Sequence, residues 1–147
     1  DGGGNLFIWI IAAAEFLMNI NFYNLLSVML GAAFGASLRW IFTMLFNSVW
    51  SSIPFGTLFC NVLGCYLIGF LGIFFAQNFQ LSEHYRLLFI TGFLGSLTTF
   101  STFSYEVFQF LHLGFYVQAI ILSCLHFFGG LIACFVGFWT YHFLFMK

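Results

Sequence analysis

Four long apolar runs, separated by short polar stretches, limit the folds that are open to this chain. The runs cover residues 25–46, 55–76, 87–113 and 115–145. A helix needs about 20 apolar residues to cross the hydrocarbon core of a bilayer, and each run reaches that length. Polar stretches at 47–54 and 77–84 separate the first three runs. The pattern predicts an all-α integral membrane domain with four transmembrane helices over residues 25–147.

The scarcity of charged side chains excludes several classes of protein. Only 3 Lys or Arg and 4 Asp or Glu occur among 147 residues, and the mean hydropathy is +1.06. A soluble domain carries far more charge than this. Nucleic-acid binding needs a cluster of basic side chains to neutralise phosphates, and three basic residues do not provide one. We predict a multi-pass protein of the plasma or inner cell membrane, in contact with the lipid bilayer.

Residues 1–24 form an N-terminal extension whose structure the sequence leaves uncertain. The apolar stretch 6–23 carries Glu15 at its centre, followed by several asparagines. A carboxylate in the middle of a bilayer is costly unless it has a partner. We therefore expect an extension of the first helix or an interfacial helix here, rather than a fifth span.

The few basic residues are almost evenly divided between the two sides of the membrane. With four spans, Arg86 and Lys147 lie on one side, and only Arg39 lies near the other. Lys and Arg in short loops set the orientation of a membrane protein, and two against one is a weak bias. The chain is therefore expected to insert both ways up and to pair with an inverted copy. The alternative is that the weak bias or a partner fixes one orientation.

Small residues recur along the runs and predict close approach of the helices. Glycine lets two helix backbones come into contact, which is a main source of packing in membranes. Such positions occur in the first, second and fourth runs at Gly31, Gly35, Gly64, Gly69, Gly129, Gly130 and Gly137. They indicate packing and no chemistry.

The third run carries residues that do not suit a plain lipid-facing helix. Residues 91–106 contain two glycines, seven Ser or Thr and one carboxylate. Gly92 and Gly95, followed by Thr98 and Thr99, predict a break in the third helix near mid-membrane. Irregular backbone is tolerated at that depth only where protein buries it or where it lines a polar cavity, and carbonyls released there can coordinate a cation. Close helix packing through small residues is the other interpretation.

Two aromatic residues and an amide are candidate ligands for an anion. Phe100 and Phe103 are three residues apart and share a helical face, and an aromatic ring has a positive edge. The Asn61 amide can donate a hydrogen bond, and Glu106 continues the face of the two rings. Arg39 would either reach the interface or set a positive potential at a pore mouth. In a chain with 25 Phe, core or lipid contact is the simpler role for the two rings.

Three sequence motifs, in this order along the chain, carry a resemblance to a known family. Residues 31–40 read GAAFGASLRW, residues 54–64 read PFGTLFCNVLG, and residues 91–106 read TGFLGSLTTFSTFSYE. Over about residues 25–145 the chain resembles the CrcB/Fluc fluoride channels, and the third motif is the most specific of the three. The resemblance implies a four-helix subunit with a broken third helix, assembled as an antiparallel dual-topology homodimer with two fluoride pores.

The resemblance also implies roles for individual residues. It implies a structural Na+ at the dimer interface, held by the backbone carbonyls of Gly95 and Thr98 of each subunit. The positions that match the family's pore and vestibule are Asn61, Phe100, Phe103, Glu106 and Arg39, with Ser101 and Thr102 beside the fluoride path. The fourth helix departs from the family, because His126 stands where a small hydroxyl residue is expected.

The function expected from the resemblance is passive export of cytoplasmic fluoride, which confers fluoride resistance, with no catalytic residues. One alternative is a small dual-topology, proton-coupled multidrug exporter. It would need a glutamate in its first span, for which Glu15 is the only candidate, and it leaves the third motif unexplained. A second alternative is a membrane assembly factor that transports nothing and is built on glycine packing.

Overall fold

Four helical spans make up the part of the chain that the structure describes. The structure is a computed structural model, and it describes residues 21–47 and 53–145. The spans are Phe22–Phe46, Phe55–Gln77, Glu83–His112 and Tyr116–Phe145, and all are long and apolar enough to cross a membrane. The predicted all-helical membrane fold with four spans is confirmed. The expectations for residues 6–20, including Glu15, lie outside the described residues.

Three spans are single helices and the third is divided. We label Phe22–Phe46 as α1, Phe55–Gln77 as α2 and Tyr116–Phe145 as α6. The third span consists of α3 (Glu83–Arg86), a π-helix (Leu87–Leu94), α4 (Gly95–Leu97) and α5 (Phe100–His112).

The third span begins earlier than the sequence predicted. The apolar run starts at residue 87, but the helix begins at Glu83, directly after Ser82 at the N-cap position. Glu83 accepts a hydrogen bond from the Asn24 side chain at the start of α1, at 3.4 Å. A carboxylate in the first turn of a helix is favourable because it faces the positive end of the helix dipole. The polar first turn is therefore part of the span.

The predicted break in the third span is confirmed. Helix α4 ends at Leu97, and Thr98 and Thr99 have extended backbone with ψ of 152° and 117°. Helix α5 then begins at Phe100. The break divides the third span near its middle, at the depth where the backbone needs partners other than water.

Contacts between helix ends define which parts of the chain lie on the same side. Asn24 and Glu83 join the start of α1 to the start of the third span. The Tyr141 hydroxyl near the end of α6 donates to Gln77 at the end of α2, at 3.0 Å. At the opposite end, Gly56 N–H donates to Asn47 Oδ1 at 2.7 Å and joins the end of α1 to the start of α2. The four spans thus run alternately up and down.

The turn between α5 and α6 is short and depends on one glycine. Gly114 has a φ of +79°, a backbone conformation that residues with a side chain rarely adopt. The Phe115 N–H donates to the Phe110 carbonyl at 2.8 Å and satisfies one of the last carbonyls of α5. This turn sets α6 against α5.

Glycines bring α1 close to the π-helix. Gly31 lies against the carbonyl of Leu88, and Gly35 lies against the carbonyl of Phe93. A Cβ at either glycine would overlap these backbone atoms, so α1 and the third span are in backbone contact.

A second glycine contact joins α2 and α6 in a reciprocal way. Gly69 of α2 lies against the carbonyl of Cys134, and Gly137 of α6 lies against the carbonyl of Tyr66. The predicted packing role of Gly69 and Gly137 is confirmed. The pair holds α6 against α2 and so fixes the position of residues further along α6.

Candidate ion pathway at the helix break

Asn61 of α2 bridges the break in the third span. Its Oδ1 accepts a hydrogen bond from the Thr99 N–H at 2.7 Å, and its Nδ2 donates to the Thr99 carbonyl at 3.0 Å. Because a backbone N–H can only donate and a carbonyl can only accept, these two bonds fix the orientation of the amide. The Asn61 side chain therefore satisfies both polar groups of a buried residue at which the helix is interrupted.

Thr99 caps the helix that follows the break. Its Oγ1 accepts a hydrogen bond from the Thr102 N–H at 3.2 Å and donates to Thr102 Oγ1 at 3.0 Å. The Ser101 hydroxyl lies 3.3 Å from the same oxygen. A hydroxyl at this position satisfies one of the amides that a helix N-terminus leaves without a partner. The N-terminus of α5, with its positive dipole end, consequently lies inside the span, surrounded by hydroxyls.

The break releases two backbone carbonyls from the helical ladder. In a continuous helix the Gly95 carbonyl would accept from Thr99 N–H, and the Thr98 carbonyl would accept from Thr102 N–H. Here Thr99 N–H donates to Asn61, and Thr102 N–H donates to Thr99 Oγ1. Carbonyl oxygens at an unwound segment suit a cation such as Na+. The backbone carbonyl oxygens of Gly95 and Thr98 are thus suitable ligands for the Na+ that the resemblance implies.

Phe100 and Phe103 stand on the first turn of α5. Their ring centroids are 5.6 Å apart at an interplanar angle of 62°, so one ring presents its edge to the other. Phe100 is 79% exposed in the single chain, whereas Phe103 is partly buried and stacks on His126, with centroids 4.3 Å apart. The two rings are therefore in contact, but they face different surroundings.

Glu106 lies one turn beyond Phe103 and is hydrogen-bonded to Thr57 of α2. Its Oε1 accepts a hydrogen bond from the Thr57 hydroxyl at 2.5 Å. Its Oε2 is buried and has no hydrogen-bond partner among residues 21–47 and 53–145. Thr57 was not among the predicted site residues. Its position four residues before Asn61 puts both on one face of α2, and this spacing was the signal that could have identified it.

A cavity links Arg39 to this polar face. It has a volume of about 310 Å³ and is lined by Arg39, Thr43, Thr57 and Thr102, among others. An adjacent cavity of about 280 Å³ is lined by Glu106, and the two cavities share Asn47 in their walls. Arg39 of α1 and Thr102 of α5 thus line the same cavity.

The residues that the sequence singled out are mostly brought together. Asn61, Ser101, Thr102, Phe103 and Glu106 form one cluster around the break and the first turns of α5. Asn61, Ser101 and Thr102 meet at Thr99, His126 joins Phe103 to Asn61, and Glu106 accepts from Thr57, one helical turn before Asn61. Phe100 extends from this cluster toward the exposed surface, and Arg39 lies at the cavity beside it. Thr99 was predicted as part of the break, but its contacts with Asn61 and Thr102 were not, and Thr57 is a further member that no motif role had indicated.

A spanning helix that is broken near its middle, with hydroxyls and an amide gathered at the break, is typical of ion-transporting membrane proteins. The comparison with known families agrees. The family described as CrcB-like protein, Camphor Resistance (CrcB), matches residues 26–138. The chain belongs to the CrcB family.

Curated relatives cover most of this chain and most of their own length. The fluoride-specific ion channel FluC of Haemophilus influenzae strain PittGG is 46% identical over 117 residues, 80% of this chain and 91% of that protein. The protein of the same name from Acinetobacter baylyi is 46% identical over 121 residues, with coverages of 82% and 95%. That from Cupriavidus taiwanensis is 49% identical over 118 residues, with coverages of 80% and 94%.

Proposed function

We propose that this protein is a passive, fluoride-selective ion channel of the bacterial inner membrane. The observation that carries the proposal is the 46–49% identity to proteins named fluoride-specific ion channel FluC over about four fifths of the chain. The cluster at the break supports the proposal, because it places hydroxyl groups at the positive N-terminal end of α5, where an anion could bind. The exporter alternative finds no support in these relatives, and neither does an assembly factor.

The physiological task follows from the chemistry of a weak acid. Hydrogen fluoride is neutral and crosses membranes from acid surroundings, and it ionises in the near-neutral cytoplasm, where the anion is trapped. A selective leak lets fluoride leave down its electrochemical gradient without ATP and so confers resistance. No catalytic step is needed.

The pore replaces the hydration shell of fluoride mainly with neutral donors. The hydroxyls of Ser101 and Thr102 and the ring edges of Phe100 and Phe103 lie on or beside the proposed path, and the dipole of α5 adds a partial positive charge. Asn61 lines the path beside them and holds the backbone of the break in place through Thr99. Conduction requires an ion to be bound firmly enough to enter and weakly enough to leave. Donors without full charge meet both conditions. Chloride is larger and would not fit the same donor geometry.

Arg39 is proposed to attract anions into the vestibule. Its guanidinium lines the cavity that also contains Thr57 and Thr102, so a positive potential acts where the ion would enter. Glu106 is proposed to hold the Thr57 hydroxyl in place at the other side of this route.

An antiparallel homodimer would complete the site. Gly95 and Phe100 both belong to the motif of the third span, yet both are exposed to solvent in the single chain. Two chains related by a two-fold axis in the membrane plane would cover this face, give two pores and supply four carbonyls to one structural Na+. The weak bias in basic residues supports insertion in both orientations.

Removal of Na+ is expected to destabilise the dimer. An ion that binds only the assembled state adds about 1.4 kcal/mol for each tenfold rise in its concentration above its Kd. We expect the thermal unfolding temperature of the purified dimer to rise with Na+ and to stay constant with N-methyl-D-glucamine. Equal unfolding temperatures in the two series would contradict the proposed Na+ site.

Substitution of either pore phenylalanine is expected to abolish flux. Phe100→Ile and Phe103→Ile each keep an apolar side chain but remove the ring edge, so fluoride efflux from vesicles should fall to that of protein-free vesicles. Phe108→Ile, at an exposed position further along α5, serves as the matched control and should conduct normally. Size-exclusion chromatography checks that the dimer remains. Normal flux in both pore variants would refute the pore assignment.

A further inference from the structure

His126 on α6 joins two members of the cluster, and the proposed pore gives it no role. Its Nδ1 lies 3.0 Å from Asn61 Nδ2, and its ring stacks on Phe103. His126 thus contacts both α2 and α5. Its position in contact with two proposed pore residues distinguishes it from a histidine that only fills the core.

The contact with Asn61 determines which ring nitrogen of His126 carries the proton. The two bonds to Thr99 require Asn61 Oδ1 to accept and Asn61 Nδ2 to donate. The second hydrogen of Nδ2 then faces His126 Nδ1, so Nδ1 must accept. A neutral imidazole with an accepting Nδ1 carries its hydrogen on Nε2. A proton on Nδ1 would bring two donors face to face.

The remaining nitrogen is a donor without a protein acceptor. His126 Nε2 is buried and has no hydrogen-bond partner within the described ranges 21–47 and 53–145. Leaving a buried donor unsatisfied is unfavourable, so such groups in native proteins are explained by water, an ion or a functional role. A hydrogen bond from an N–H to an anion is stronger than one to a neutral acceptor.

We propose that the Nε2–H of His126 is a fluoride-binding donor in the pore and that Asn61 holds the tautomer that presents it. The inference rests on the proposed channel function. In this arrangement Asn61 has two roles. It satisfies the backbone N–H and carbonyl of Thr99 at the break, and it fixes the tautomer of His126 on α6. The donor is neutral, so it adds to fluoride binding without adding a charge that would retain the ion.

Two substitutions separate a ligand role from a packing role. Asn at position 126 can offer Oδ1 where the histidine has Nδ1, but it has no donor at the Nε2 position. Gln reaches the Nε2 position with an amide donor, but it does not supply the Nδ1 acceptor. His126→Asn should therefore lower fluoride flux by about tenfold or more, and His126→Gln should stay within about threefold of the unmodified chain.

The reverse order, with Asn active and Gln inactive, would show that His126 only positions Asn61 and would overturn the proposal. Equal flux in both variants and in the unmodified chain would also overturn it. His142→Gln, on the same helix and at an exposed position, is the matched control and should leave flux unchanged. Size-exclusion chromatography in detergent shows whether each variant keeps the assembly state of the unmodified protein.

A spectroscopic readout tests the same proposal without transport. In protein labelled with 15N-histidine, the signal absent from His126→Gln identifies His126. We expect the nitrogen shifts of a neutral ring with its hydrogen on Nε2, and we expect Nε2 to respond to sodium fluoride but not to sodium chloride. The other tautomer, a doubly protonated ring or an unchanged Nε2 in fluoride would overturn the proposal.

These outcomes separate the inference from the function on which it rests. If the unmodified protein moves no fluoride, the channel function fails and the proposal fails with it. If the unmodified protein conducts while the two variants conduct equally and Nε2 ignores fluoride, only the role of His126 is overturned.

Discussion

Replacing Asn61 by Leu is expected to abolish fluoride flux and to lower the free energy of unfolding by about 2–4 kcal/mol. Leu has a similar volume but makes none of the three hydrogen bonds of the amide, to Thr99 N–H, to the Thr99 carbonyl and to His126. Thr99 is only 8% exposed, so water does not readily replace Asn61. Unfolding in mixed micelles and efflux from vesicles measure the two effects.

A matched substitution of another asparagine on the same helix shows whether the losses of stability and flux come from the lost hydrogen bonds at the break. Asn78 lies at the opposite end of α2, where its side chain makes one exposed hydrogen bond to the Phe74 carbonyl at 2.8 Å. Asn78→Leu should change the free energy of unfolding by less than about 1 kcal/mol and leave flux intact. Asn61→Leu with normal stability and flux would show that the bridge to Thr99 is unimportant.

Gly137→Ala is expected to destabilise the fold more than alanine at either of the other two glycines of α6, Gly129 and Gly130. A Cβ at this position overlaps the Tyr66 carbonyl, and backbone atoms cannot move aside as a flexible side chain can. Overpacking of this kind costs about 1–3 kcal/mol or more. The two helices would have to separate, and the position of His126 relative to Asn61 would change with them. We expect a lower unfolding temperature and little folded dimer.

Alanine at two other glycines tests whether the loss of stability comes from the backbone overlap at Gly137. A Cβ at Gly129, also on α6, would meet only Val62 Cγ2 at an ordinary 3.6 Å, and a Cβ at Gly72 on α2 would meet nothing within 4 Å. Because Ala favours helix over Gly by about 1 kcal/mol, Gly129→Ala and Gly72→Ala should be neutral or slightly stabilising. Equal stability of Gly137→Ala and Gly129→Ala would contradict the close contact of α2 and α6.

The sequence predicts the parts of this fold that depend on local composition. The four spans follow from the length of the apolar runs, because no other structure satisfies the backbone in lipid at that length. The break follows from Gly92, Gly95, Thr98 and Thr99, which weaken the helix where hydroxyls offer other hydrogen bonds. The start of the third span at Glu83 was missed because its first turn is polar and lies before the apolar run begins.

The contacts that make the site depend on packing between distant segments, and the sequence does not encode them locally. Asn61 and Thr99 are 38 residues apart, and Asn61 and His126 are 65 apart. Whether these side chains meet depends on the glycine contacts that set the distance between helices. The π-helix at Leu87–Leu94 also had no signal in the sequence. Thr57 was recoverable, because it shares a helical face with Asn61.

Fluoride efflux from vesicles containing the purified protein tests the central claim most directly. Vesicles loaded with potassium fluoride in the presence of Na+ are diluted into fluoride-free medium with valinomycin to balance charge, and an electrode records fluoride. The proposed channel predicts rapid release of fluoride and no release of chloride in a matched experiment. Release no faster than from protein-free vesicles, or equal release of both anions, would contradict a fluoride-selective channel.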